Sequence, residues 1–304
     1  GLIDLLPLIN VSHCYYGCME EDVDQFGIDS ICPDCAKKVA NNIPLSKKEN
    51  VHLFELPLNA NLDDVIGGLD KRQLIHQKMK IKRGILAMAD KNILYIDEIN
   101  LLNNEIINAI LDAASMGKYT IRRGPISATY QSRFSLIGSM NPEEGILRPQ
   151  ILDRFGLRIT TKGLSRETER YEAYQRAMDY KNNPKKYIKY FENETKLARE
   201  ELEEARTLIK TVQIPEDIAE NGIRLIKELN IDSIRAEISL FESAKALAAS
   251  DRRQIVSQED MRVVAPMALR LRTSQFMSNF ISQQEISDQI IKEKFNLFFE
   301  KNIL

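Results

Sequence analysis

The 304-residue chain has no apolar run approaching the roughly 18 to 20 residues that a bilayer-spanning helix needs. Its opening, Gly1-Leu2-Ile3-Asp4-Leu5-Leu6-Pro7, lacks the basic flank and small-residue cleavage pattern of a secretory signal. Charge imbalance is also missing: 42 Lys and Arg stand against 44 Asp and Glu, a net charge of -2. That balance gives no global electrostatic reason to expect nucleic acid or an anionic membrane as partner. No internal repeat and no low-complexity tract is present, which leaves out solenoid and compositionally biased architectures. Cysteine is scarce, with four in all and every one between positions 14 and 35. These absences describe an ordinary soluble chain and predict a cytoplasmic one. Its 43% hydrophobic and 28% charged content can bury a sizeable core, and its length allows about two domains at ~150 residues each.

The opening residues read as the last turns of an amphipathic helix stopped by Pro7, with no capping residue or initiator Met ahead of them. The natural chain is therefore expected to begin upstream. Residues 51–56, Val-His-Leu-Phe-Glu-Leu, predict a buried strand, and Asn92-Ile93-Leu94-Tyr95-Ile96 a second one that ends in Asp97-Glu98. Residues 103–116 then carry apolar side chains at Ile106, Ile107, Ile110 and Leu111, a helical spacing. Strand followed by helix is the α/β signature. Residues 119–121 and 126–130 flank Gly124-Pro125 as a hairpin, 133–137 give a third apolar strand ending at Gly138-Ser139-Met140-Asn141, and 157–160 a fourth. From Ser165 onward the period is helical, with a charged stretch over 180–210 broken at Asn182-Asn183-Pro184. Pro215 suits a first helical position, and Ser257-Gln258-Glu259-Asp260 a capping box.

An apolar strand that ends in two adjacent acids puts them at the carboxyl edge of a sheet, where open α/β folds bind ligands. Phosphoryl transfer needs charge neutralisation and a positioned nucleophile, so such a pair can hold Mg²⁺ and polarise water. Taken alone, Asp97-Glu98 reads equally well as two solvated acids near the positive end of the next helix. Asn141 reads either as an amide that can bond a phosphate or as an Asn-Pro turn. Arg154 is either a fixed cation for a neighbour's phosphate or half of a local pair with Asp153 or Glu144.

The surrounding text is more specific. Ile93-Leu94-Tyr95-Ile96-Asp97-Glu98-Ile99-Asn100-Leu101-Leu102, then Gly138-Ser139-Met140-Asn141-Pro142-Glu143-Glu144-Gly145, then Leu147-Arg148-Pro149-Gln150-Ile151-Leu152-Asp153-Arg154-Phe155, closely resemble the ATP-hydrolysing (I) subunit family of magnesium chelatase, in family order. The resemblance covers nearly the whole chain and implies an AAA+ α/β core followed by an α-helical lid. It implies a Walker B pair at Asp97 and Glu98, a sensor 1 at Asn141 and an arginine finger at Arg154. Ser233-Ile234-Arg235-Ala236-Glu237 resembles the family's sensor 2, which implies that Arg235 brings the lid onto the nucleotide; a salt bridge on its own helix face is the bland alternative. The 119–130 hairpin resembles the family's pre-sensor-1 insert, and 54–70 the segment before its helix-2 insert. Implied cofactors are ATP and Mg²⁺. Implied partners are further copies of the chain in a ring, a hexamer as in the family, together with a von Willebrand type A subunit and a large chelatase subunit that inserts the metal into a tetrapyrrole.

The phosphate cradle Gly-x-x-x-x-Gly-Lys-Ser/Thr is not found in the 304 residues, and no Gly-Lys-Ser or Gly-Lys-Thr occurs. In the family this loop leads into a helix ending Leu-Leu-Pro, as at Leu5-Leu6-Pro7, so it is expected a few residues upstream and the chain as it stands is expected to be inactive. The cysteines form Cys14-x₃-Cys18-x₁₃-Cys32-x₂-Cys35. Two pairs at chelating spacing in a cytoplasmic chain predict a four-thiolate site for Zn²⁺, with an iron–sulfur cluster as the alternative and His13 as a bystander. This knuckle departs from the photosynthetic subunits, so neither magnesium nor a particular porphyrin is implied as substrate. The expected organisation is an α/β core over 1–162 with the knuckle at 14–35, a charged helical connector over 163–212 and a lid over 213–304. Two other classes stay open: a remodelling ATPase of the related MoxR type, and a non-catalytic scaffold in which the knuckle mediates contacts and the acids are idle.

Overall fold

The computed structural model describes residues 2–69, 81–145, 147–272 and 289–294. It divides into two compact units, Gly1–Leu147 with Glu172–Glu203, and Arg148–Tyr171 with Glu204–Leu304. The strands are β1 (Ile9–Ser12), β2 (Ser46–Glu49), β3 (Leu53–Glu55), β4 (Gly67–Leu69), β5 (Ile81–Arg83), β6 (Ile93–Ile96), β7 (Lys118–Arg123), β8 (Ile126–Gln131) and β9 (Ser135–Gly138).

In the first unit β6 lies between β3 and β9, both parallel to it. Its Ile93, Leu94 and Ile96 are buried, as a strand covered on both faces requires. The Asn104–Met116 helix buries Ile106, Ile107, Ile110, Leu111 and Ala113, the face read from its spacing. Asn103 caps its start by accepting from the Glu105 amide at 3.0 Å. Gly117 ends it in the left-handed region at φ +67°, where a side chain would be strained. The β7–β8 hairpin closes through Gly124-Pro125, with Arg123 opposite Ile126. The segment expected as a strand at 51–56 is shorter, Leu53–Glu55, although the Leu56 amide still donates to the Tyr95 carbonyl at 3.0 Å. Leu53 is 44% exposed, so this strand is covered less fully than its composition suggests. The opening residues form a 3₁₀ turn, Leu2–Leu5. The break at Asn182-Asn183-Pro184 is real: Asn183 accepts from the Lys186 amide, and Pro184 starts a new helix.

The second unit is helical. The Glu216–Glu228, Arg235–Ser250 and Gln258–Leu269 helices enclose a core that includes Ile226, Leu240, Val256 and Val264. Ala236, Ala244 and Ala248 are fully buried beside Leu240 at a spacing of one turn, so small side chains let the helices approach closely. The fourth strand expected at 157–160 is not formed. Its alternation suggested an amphipathic strand, but Leu157 and Ile159 are 48% and 70% exposed. The Arg158 amide instead donates to the Met267 carbonyl at 2.8 Å. Pro215 stands one position earlier than expected, as the N-cap. Among the described residues no helix is long and apolar enough to cross a membrane.

Ser257 caps the last of these helices with Asp260 as its reciprocal partner, as expected, and Arg253 adds a forked ion pair to the same carboxylate at 2.6 and 2.7 Å. The Arg253 bonds and the Ser257 donors hold Asp260 down to about 2 against an opposing push from burial. Because this folded value lies below the unfolded one, the stabilisation is complete above pH ~4 and disappears as pH falls through about 2. Arg253 is partly exposed, so we expect Asp260→Asn to cost about 1–2 kcal/mol at neutral pH. Urea unfolding followed by far-UV circular dichroism at several pH values should give curves for wild type and variant that converge between pH ~4 and ~2; curves that stay parallel throughout this range would contradict the assignment.

Candidate nucleotide and metal sites

Parallel pairing with Ile96 opposite Gly138 brings the carboxyl ends of β6 and β9 together. Ser139, the residue after β9, knits the two ends. Its amide donates to the Ile96 carbonyl at 3.0 Å, its carbonyl accepts from the Ile99 amide at 3.0 Å, and its hydroxyl accepts from the Glu98 amide at 3.0 Å. The same hydroxyl donates to Asp97 Oδ1 in a short bond, and the Tyr95 hydroxyl donates to that oxygen at 3.0 Å. These two donors, Ser139 first, hold the exposed Asp97 carboxyl below its ordinary range. Asp97 is thereby kept ionised and fixed in direction. Such a carboxylate suits a hard cation.

Glu98 adopts the left-handed conformation, φ +49° and ψ 50°, which is costly for a side chain with a Cβ. The Ser139 bond to its amide holds it there. Asn141 uses its side-chain oxygen to accept from the Glu143 amide at 3.2 Å, so the turn-forming role weighed for it is present. The Asn141 carbonyl accepts from Asn100 Nδ2 at 3.4 Å, while the buried Asn100 Oδ1 has no hydrogen-bond partner. A buried polar atom without a partner at the mouth of a charged edge is what an incoming donor would satisfy.

In the second unit Arg154 is exposed on the turn after the Pro149–Leu152 helix. Arg235 is the first residue of its helix and pairs with Asp153 Oδ2 at 3.1 Å, rather than with a neighbour on its own helix face. The Ser233 hydroxyl donates to the same oxygen at 2.7 Å. Burial pushes the Asp153 carboxyl up, but Ser233, Arg272 and Arg235 outweigh it and leave it below the ordinary range. The sequence reading thus found Asp97, Glu98 and Asn141 in one unit and Arg154 and Arg235 in the other. It missed Ser139, whose only signal was its place after a strand, and Arg272, which had none; Asp153 it weighed as a partner of Arg154, whereas the structure pairs it with Arg235 and Arg272.

The four cysteine sulfurs lie within 4.8 Å of one another. Cys14 Sγ is 3.6 Å from Cys18 Sγ and 3.7 Å from Cys32 Sγ, close to the edge of about 3.8 Å that a tetrahedron with Zn–S of about 2.3 Å requires. The Tyr16 amide donates to Cys14 Sγ at 3.3 Å and the Cys32 amide to Cys18 Sγ at 3.4 Å, bonds suited to thiolates. Cys32 caps the Pro33–Ala40 helix and Cys35 lies in its first turn, the positive end. The hydrogen bond from Cys18 lowers Cys14 to about 4, whereas burial raises Cys35 to about 12 and the bond to Cys14 raises Cys18. Four thiolates gathered this closely would repel one another, so holding all four together needs a cation. His13 is exposed and outside the cluster.

The knuckle's own core is only Cys18, Ile31, Cys35 and Leu45, too little to order it alone. Arg133 clasps it to the sheet. Its guanidinium bonds Asp90 at 2.9 and 3.1 Å, Asp22 at 2.7 Å and the Gly17 carbonyl at 2.8 Å.

The strain at Glu98 is measurable. Glu98→Gly relieves the left-handed penalty and Glu98→Gln keeps it, so the glycine variant should be the more stable of the two by about 1 kcal/mol. Paired urea titrations decide this; a glycine variant that is the weaker by a similar amount would show that the conformation carries no cost.

Two family models match the chain: an MCM P-loop domain over residues 66–166 and an AAA lid domain over residues 220–293. A magnesium-chelatase subunit ChlI homolog of Methanocaldococcus jannaschii is 39% identical over 297 residues, covering 96% of this chain and 79% of the relative. The magnesium-chelatase 38 kDa subunit of Acidiphilium rubrum is 36% identical over 274 residues, 90% of this chain and 78% of the relative. Among solved structures, a putative ATPase of Cytophaga hutchinsonii superposes with a TM-score of 0.52 at 23% identity, over 80% of this chain and 76% of that one, a likeness of fold. With identity at that level running through nearly all of both units and most of each relative, the chain belongs to the AAA+ ATPases of the magnesium-chelatase I-subunit family.

Proposed function

We propose that the chain is the ATPase motor of a metal chelatase, coupling hydrolysis in a ring of identical subunits to metal insertion into a tetrapyrrole by a large partner subunit, through a companion with a von Willebrand type A domain. The observation that carries the reading is the Ser139 knot: one hydroxyl fixes Asp97 and the Glu98 backbone together at the carboxyl edge of two parallel strands. In this reading Asp97 takes the Mg²⁺ of the nucleotide, which supplies charge neutralisation at the phosphates. Glu98 orients and polarises the attacking water, and the Asn141 amide bonds the γ-phosphate or that water. Arg154 reaches the γ-phosphate of a neighbouring subunit, and Arg235 carries the lid onto the nucleotide of its own. Head-to-tail use of Arg154 closes a ring, proposed as a hexamer. The functional modules are a core over 1–162, a connector over 163–212 and a lid over 213–304. The four cysteines hold a structural Zn²⁺.

Since no Gly-Lys-Ser/Thr occurs in the 304 residues, we expect ATPase activity only from the chain extended upstream through a phosphate-binding loop. In that protein Glu98→Gln and Arg154→Ala should each abolish turnover, and mixing them should restore part of it, because some interfaces then pair an intact Glu98 with an intact Arg154. An arginine finger is worth on the order of 10³-fold or more, so a minority of restored sites stands above background. Steady-state rates across mixing ratios, with native mass spectrometry to show subunit exchange, test this; exchange without recovery places Arg154 in a purely local role.

For the knuckle, elemental analysis of protein purified without added metal should give about one zinc per chain. Iron with visible absorbance would assign a cluster instead. Neither metal, with four freely titratable thiols, removes the metal site.

A further inference from the structure

The arginine-rich cluster of the second unit holds more than the two residues with a proposed role. Arg272 has a fully buried side chain, and each of its nitrogens is engaged. Nε donates to the Ala268 carbonyl at 2.7 Å, one terminal nitrogen to Asp153 Oδ1 at 2.6 Å and its carbonyl at 3.1 Å, and the other to the Phe155 and Gly156 carbonyls at 3.2 and 3.1 Å and to Ser239 Oγ at 2.9 Å. One guanidinium thus gathers the turn at residues 153–156 and ties it to two helices. Arg154 rides on that turn.

The Asp153 carboxylate is divided. Oδ1 belongs to the buried Arg272, and Oδ2 takes Ser233 and the guanidinium of Arg235, whose side chain is 53% exposed. A brace for the turn needs only the first oxygen. The second bond, to an exposed arginine, adds little to stability, because solvent screening and side-chain entropy consume most of an exposed ion pair. Its consequence is geometric: a long side chain that would otherwise sample many rotamers is held by a charge-assisted bond from one terminal nitrogen to a carboxylate of fixed position. The partner in that bond is the residue next to Arg154, so one carboxylate sets the position of both arginines.

We propose that Asp153 is a positioning residue for nucleotide binding: through Oδ2 it pre-orients Arg235, and through Oδ1 and Arg272 it fixes the turn bearing Arg154. The inference rests on the nucleotide-site reading above. Asp153→Asn keeps a hydrogen-bond acceptor for Arg272 and loses the one for Arg235. The amide oxygen still accepts from Arg272, while the amide nitrogen can neither accept from Arg235 nor pair with its charge.

The experiment is a double-mutant cycle in the full protein with its upstream loop, comparing wild type, Asp153→Asn, Arg235→Met and the double variant. It reads KM for ATP, kcat and, independently of turnover, affinity for a fluorescent ATP analogue. Arg235→Met should weaken nucleotide binding about tenfold, Asp153→Asn should do nearly as much, and the double variant should be no worse than Arg235→Met. Asp153→Asn also takes the counter-charge from the buried Arg272, so its unfolding midpoint should fall and binding is read well below that midpoint, whereas the midpoint of Ser233→Ala, which keeps the carboxylate, should stay near that of wild type. Ser233→Ala, which removes only the other donor to Oδ2, should weaken binding about two- to threefold and leaves the Arg272 brace intact. Multiplying effects in the double variant, or a shifted unfolding midpoint with unchanged binding in both Asp153→Asn and Ser233→Ala, would make Asp153 a brace and overturn the proposal. If Arg235→Met itself leaves nucleotide affinity unchanged, the sensor assignment fails and the inference goes with it; if Arg235→Met weakens binding and neither Asp153→Asn nor Ser233→Ala does, only the inference fails.

Discussion

The parallel pairing of β6 with β9 is the constraint on which the candidate nucleotide-binding edge depends. Parallel strands end on the same side, so residues that follow them in sequence, 97–98 and 139–141, become neighbours in space although about 40 residues separate them. An antiparallel pair would have sent them to opposite edges. The pairing alone leaves two loose loop starts, and Ser139 makes them one object. Two backbone bonds and two hydroxyl bonds through a single residue fix the direction of Asp97 and the left-handed twist of Glu98. The strain at Glu98 is held by neighbours that are themselves held by the sheet, which is how a costly conformation persists.

The opposite ends of the same strands are fixed by charge. Arg133 sits two residues before β9, Asp90 three residues before β6, and their forked ion pair joins the two strand entrances. The Lys91 amide adds a bond to the Arg133 carbonyl at 2.7 Å. The remaining donors of Arg133 reach Asp22 and Gly17 in the cysteine knuckle. Gly17 lies at φ +81°, and a Cβ there would stand 2.8 Å from Gln131 Cβ, so only glycine lets the knuckle come this close. The knuckle is therefore an appendage with a small core of its own, docked through a half-buried guanidinium onto the strands that carry the acids.

What the sequence made legible follows from range. The acids, the 104–116 helix, the hairpin and the capping box at Ser257 are written in patterns of a few residues, and local chemistry decides them. The cysteines were legible because chelating pairs are close in sequence and only one arrangement of four sulfurs satisfies a tetrahedral ion. The expected strand at 157–160 failed for the complementary reason: alternation of Leu157, Arg158, Ile159 and Thr160 describes a half-buried strand only if another strand is there to pair with. Here Arg158 is the residue turned inward and the apolar ones are exposed. Its guanidinium bonds the Leu152 and Arg270 carbonyls, a demand no periodicity encodes.

Arg133 and Arg272 were invisible in the sequence because their partners lie up to 116 and 119 residues away. They nevertheless solve the same problem in the two units. Each takes a loop whose carbonyls have no strand or helix to pair with and supplies a planar fork of donors in place of regular structure. A lysine presents a single point of charge and cannot span several acceptors in fixed directions. Each arginine also needs an aspartate, Asp90 or Asp153, because a buried cation without a counter-charge would cost more than the loop bonds return. The charged groups of the candidate sites are thus carried on short irregular segments whose shape is set by guanidinium–carboxylate pairs, half-buried at Arg133 and fully buried at Arg272, as well as by the hydrophobic core. The apolar pattern dictates where the strands and helices lie, and the orientation of the charged groups is left to residues that read, in one dimension, as ordinary surface charge.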